Sequence, residues 1–159
     1  MMGFMGSRWT RALLSVLVIG SIFMGACGDK STPTTPAPTQ IDVSGRWAAD
    51  ITLQGITARM TWMLTQTGGG VTGPVLVSLS SGTVLLNGFL TGTITGSSLA
   101  YTIAVGPGGI PNQPTCSGQL GGTMTITVGA VSTMAGPISV LASNCSIQLP
   151  SSSITLTKQ

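Results

Sequence analysis

Few groups in this chain have the chemistry for a reaction. There is no histidine, and the three acidic residues are all aspartates, Asp29, Asp42 and Asp50. General acid-base work would therefore fall to an aspartate, a lysine or Tyr101. Asp42 is expected at the entry to the folded domain and Asp50 on the polar face of its first strand, so no carboxylate pair forms. The many serines and threonines have no neighbouring base to activate them, and their alternation suits a solvent-facing sheet. Gly68-Gly69-Gly70 has the composition of a phosphate loop, but no helix follows to offer an amino terminus to an anion, so a hairpin turn is expected there. No enzyme is expected, and no cofactor is implied. That leaves the cysteines, Cys27, Cys116 and Cys145. Without histidine, isolated cysteines fall short of the four ligands of a structural zinc site, so no metal is expected either.

Cys27 closes the run Leu13-Leu14-Ser15-Val16-Leu17-Val18-Ile19-Gly20-Ser21-Ile22-Phe23-Met24-Gly25-Ala26-Cys27, which is preceded by Arg8 and Arg11. A basic start, a short apolar core and a small-residue end have the form of a secretory signal. The run is shorter than the roughly 20 apolar residues of a spanning helix. Met24-Gly25-Ala26-Cys27 resembles the lipobox of bacterial lipoproteins. The resemblance implies cleavage before Cys27, a diacylglycerol on its sulfur and a further acyl chain, such as palmitate, on the new amino terminus. Because Gly28 follows the cysteine and Asp29 comes only after it, the same analogy implies anchoring in the outer membrane, on its periplasmic or external face. With Cys27 given to lipid, Cys116 and Cys145 form an even pair in an exported chain, and a disulfide is expected between them.

Three segments follow from composition. Residues 1–26 are the signal peptide, 27–43 the lipidated cysteine with a Pro- and Thr-rich tether, and 44–159 a single domain. The formal charge of +3 overstates the basic character of the mature protein, since Arg8 and Arg11 leave with the signal peptide. Lys30, Arg46, Arg59 and Lys158 are scattered, so the clustered cations of a nucleic-acid interface are missing.

From Ser44 onward, apolar and polar residues alternate with period two between turn clusters, as in β-strands. Trp47, Ala49, Ile51 and Leu53 share one face, and Met60, Trp62 and Leu64 share the inward face of the next strand. Further strands are expected near 70–80, 83–95, 98–105, 115–128, 131–143 and 152–158. The fold class is all-β, an antiparallel up-and-down meander of about eight strands closed into a barrel, because closure removes exposed edges. Gly73, Gly88, Gly92 and Gly118 mark bends or bulges. A hairpin across Gly129-Ala130 sets Cys116 opposite Ser143, with Cys145 two residues further along.

Gly45-Arg46-Trp47 at the first strand, with Thr155-Leu156-Thr157-Lys158 at the last, resembles the Gly-x-Trp opening of the calycins, which include lipocalins, fatty-acid-binding proteins and avidins. The resemblance implies that Trp47 plugs one end of the barrel and that Lys158 or Arg46 packs across it. Met60, Trp62, Leu64, Leu99, Tyr101 and Ile103 share inward faces and are the candidate lining of a site for a small apolar ligand. An eight-stranded barrel either fills its interior with side chains or holds one small ligand. The corresponding functions are a lipid-anchored, non-enzymatic binder of an apolar ligand or surface partner, and a structural or adhesive surface lipoprotein.

Overall fold

The computed structural model describes residues 40–53, 55–145 and 151–159. The expected signal peptide, Cys27 and most of the expected tether lie outside the described residues. Among the described residues eight strands run in chain order, β1 (Gly45–Leu53), β2 (Ile56–Thr67), β3 (Gly70–Ser78), β4 (Val84–Thr95), β5 (Ser98–Val105), β6 (Gly118–Thr127), β7 (Thr133–Ser143) and β8 (Ser152–Lys158). Each pairs antiparallel with its sequence neighbours, and β8 returns to β1, so the meander closes into a barrel.

Alternation decides which residues enter the barrel. β3 reads Gly-Val-Thr-Gly-Pro-Val-Leu-Val-Ser, and Val71, Val75 and Val77 point inward while Thr72, Pro74 and Leu76 stand outside. The same rule buries Met60, Trp62 and Leu64 on β2 and Leu99, Tyr101 and Ile103 on β5. The outer wall is largely threonine, and Asp50 and Arg59 are cross-strand partners on it, 3.2 Å apart. Both are well exposed, so this pair adds little stability.

Two Gly-Pro steps coincide with gaps in the ladders, Gly73-Pro74 on β3 against β2 and Gly136-Pro137 on β7 against β6. Proline gives the ladder no donor, and the glycine beside it lets a neighbouring strand come close. A Cβ on Gly73 would collide with the Met63 carbonyl, and one on Gly122 of β6 with the Pro137 carbonyl. Gly122 is the cross-strand partner of Tyr101, whose hydroxyl donates to that same Pro137 oxygen at 2.9 Å. Burial pushes the Tyr101 phenol well above its ordinary value of 10.0, so it stays a donor.

The β6–β7 hairpin departs from its expected register. Ser143 lies opposite Gly118 rather than Cys116. The strands end at Thr127 and resume at Thr133, so the connection is longer than a two-residue turn, and a bulge at Gln119/Leu120 shifts the pairing once more. Extended past Gly118, that shifted register sets Cys116 directly across from Cys145, and the two form a disulfide. Residues 115–117 belong to the loop before β6, where Cys116 N–H donates to the Gln113 carbonyl.

Candidate functional site

The barrel has one packed end and one hollow end. At the packed end, the segment before β1 folds across the opening. The Gln66 side chain accepts from Val43 N–H at 2.8 Å and donates to the Ile41 carbonyl at 3.0 Å, which ties that segment to β2. Trp47 is 1% exposed, and its indole N–H donates to the Val43 carbonyl at 2.7 Å. Lys158 lies over the Trp47 ring, with Nζ 5.6 Å from its centroid, while Arg46 stands exposed on the outside. Asp42 also sits at this end. Its carboxyl is held below the ordinary 3.8, chiefly by the Ser44 backbone N–H and then by the Ser44 hydroxyl.

Above the plug the interior is filled. Trp62 is fully buried and packs against Tyr101, with ring centroids 5.0 Å apart and planes tilted by 56°. Among the described residues the Trp62 Nε1 has no hydrogen-bond partner, so this residue acts through packing.

At the other end lies a cavity of about 500 Å³ to which all eight strands contribute. That volume is in the range that takes one small organic ligand. Its depth is set by strand geometry. On β2, Ile56 stands at the mouth and Met60 four residues further in, and on β7 Ser143 is at the rim and Ile138 deeper. Apolar side chains including Met60, Ile138 and Ile154 line the inner part, whereas Thr52, Asn112, Ser143 and Ser152 bring polar groups to the lining. Among the described residues, no charged side chain lines it. Comparison with protein families, characterised proteins and solved structures finds no match to this chain. The physical features of the cavity therefore carry the functional argument.

Of the six residues expected to line a ligand site, the structure brings only Met60 to the cavity. Trp62, Leu64, Leu99, Tyr101 and Ile103 lie in the filled core. Sequence reasoning missed Ile110, which packs against the core and lines the cavity from the loop between β5 and β6. That loop is drawn over the wall by a hydrogen bond from Asn87 N–H to the Gly109 carbonyl, 2.7 Å. A single isoleucine inside Gly-Pro-Gly-Gly-Ile-Pro was the available signal. Among the described residues no group of three or more metal-ligating side chains gathers.

Proposed function

We propose that this protein is a lipid-anchored, non-enzymatic cell-envelope protein with a calycin-like barrel that takes a small apolar ligand into the cavity opposite the Trp47 plug. The cavity is the observation that carries the reading: about 500 Å³ of largely aliphatic space at the open end of a barrel whose other end is sealed. The calycin likeness is supported by the pairing of Trp47 with Lys158, since a basic residue of the last strand lies over the tryptophan of the first. The lipid anchor rests on the sequence ending in Cys27 and on the tether that follows it.

Two measurements test this reading. Replacing Ile138 by Trp introduces a bulky side chain into the cavity. Binding of an uncharged naphthalene-based fluorescent probe should weaken at least tenfold while the β-sheet circular dichroism is kept. Undiminished probe binding by a folded I138W chain would remove the cavity as the site. Replacing Cys27 by Ser should abolish incorporation of labelled palmitate and release the chain from membranes, because stable anchoring needs two acyl signals. A Cys27→Ser chain that stays on the membrane as tightly as its parent would sink the anchor reading.

A second reading, a structural or adhesive wall, is favoured by an apolar patch on the outside. Pro74 and Phe89 are cross-strand partners, Phe89 is 49% exposed, and Met63 and Leu76 on the neighbouring strands are exposed as well. It becomes the better account if the parent chain takes no apolar probe at all.

A further inference from the structure

We propose that the cavity selects electrically neutral single-chain amphiphiles, such as alcohols, esters or amides of an aliphatic chain, and discriminates against fatty-acid anions and alkylammonium cations. The inference rests on the ligand-binding reading above and names the class of ligand.

Charge placement carries it. The charged side chains among the described residues are Asp42, Arg46, Asp50, Arg59 and Lys158. Asp42 and Lys158 belong to the plugged end, where the Lys158 ammonium donates to the Asp42 backbone carbonyl at 3.4 Å. Arg46 stands outside beside the plug, and Asp50 and Arg59 face each other on the outer wall. None of the five lines the cavity. A carboxylate or ammonium drawn into the mouth would shed water without meeting an opposite charge, which is costly. An uncharged head loses less, and Asn112, Ser143 and Ser152 offer it both donors and acceptors.

The cavity is also polarised along the barrel axis. On β8, Ser152 precedes the deeper Ile154, and on β7, Ser143 stands outside Ile138. A ligand with one apolar tail and one polar end matches this order, tail inward and head at the rim. Among the described residues no aromatic side chain lines the space, so selection rests on aliphatic packing, which rewards each added methylene until the tail reaches the floor near Met60. At the usual value for a buried methylene, affinity rises about fourfold per carbon before it levels off.

The test uses the full chain carrying Cys27→Ser, titrated calorimetrically at neutral pH with 1-alkanols of increasing length and with the matching alkanoates and alkylammonium ions. Alkanols should tighten about fourfold per methylene and then plateau, and alkanoates of equal length should bind at least tenfold more weakly. Asn112 lies on an exposed loop, so Asn112→Lys tests the electrostatic cause without disturbing the core. The amide is itself lost from the rim, so the reading is a ratio: alkanoates should gain about fivefold on alkanols of equal length, the size of a rim ion pair. Equal or tighter binding of alkanoates by the parent chain, or no gain of alkanoates on alkanols in Asn112→Lys, would overturn the selectivity while the cavity reading stands. Binding of none of the three series would overturn the ligand-binding reading itself.

Discussion

Trp47→Ala should lower the unfolding free energy of the barrel by about 3–5 kcal/mol, the usual cost of emptying a buried tryptophan site. A domain of this size is stable by only about 5–15 kcal/mol, so most of its margin is at stake. The position explains why the upper part of that range applies. The barrel closes where β1 meets β8, and this seam has register pairs only at Trp47–Lys158 and Ala48–Thr157, supported by Gln159 N–H donating to the Arg46 carbonyl. Every other junction carries a longer ladder. Trp47 therefore packs at the shortest stretch of pairing, and its truncation leaves the Val43 carbonyl without the indole donor and Lys158 without the ring face. Trp47→Phe keeps most of the packing and should cost clearly less. Urea unfolding of the three chains checks both statements. A loss below about 1 kcal/mol for Trp47→Ala would show that the plug is dispensable, contrary to the burial argument.

The sequence makes the inward face of each strand legible, because side-chain direction follows parity and apolar residues mark the buried side. Met60, Trp62, Leu64, Leu99, Tyr101 and Ile103 all point into the barrel for this reason. Height along the axis is another matter. Whether an inward residue lies in the filled core or in the cavity depends on the stagger of neighbouring strands, and alternation is silent on stagger. Met60 and Trp62 are two positions apart on one strand, yet only the first lines the cavity. The cysteine register fails for a related reason. A bulge adds one residue to one strand without altering composition, so the shift at Gln119/Leu120 leaves no mark in the pattern. Gln66 is similarly hidden, since a glutamine before a glycine turn looks like any polar strand end, although here it anchors the segment that closes the barrel. The Gly-Pro steps are different. Gly73-Pro74 and Gly136-Pro137 each interrupt an alternating run, and that repetition is a readable sign of the gaps in the β2–β3 and β6–β7 ladders at those positions.

Loss of the Cys116–Cys145 disulfide should cost about 3–4 kcal/mol, a size comparable to the Trp47 effect but with a different consequence for binding. The two cysteines are separated by 29 residues, and closing a loop of that length in the unfolded chain gives this figure in the chain-entropy account. The bridge also continues the β6–β7 ladder beyond the bulge. Next to it Asn144 N–H donates to the Ser117 carbonyl at 3.1 Å, and Ser117 N–H donates to the Asn144 side-chain oxygen at 2.7 Å. Gly118, Ser143 and Cys145 all line the cavity, so the bridge fastens one side of its mouth. Trp47 lies at the opposite end of the barrel and is not among the lining residues. Two destabilised chains should therefore behave differently while both are still folded. Cys116→Ala/Cys145→Ala should bind a neutral apolar probe several-fold more weakly than its parent, and Trp47→Ala should bind it with parental affinity. Both are made on the Cys27→Ser chain to prevent thiol exchange, and both are measured well below their unfolding midpoints. Equal loss of probe affinity in the two would mean that binding follows global stability, and the disulfide would then have no separate hold on the mouth. Unchanged stability on removing the bridge would instead contradict the loop-entropy argument, since a constraint on the unfolded chain acts however the native mouth is arranged.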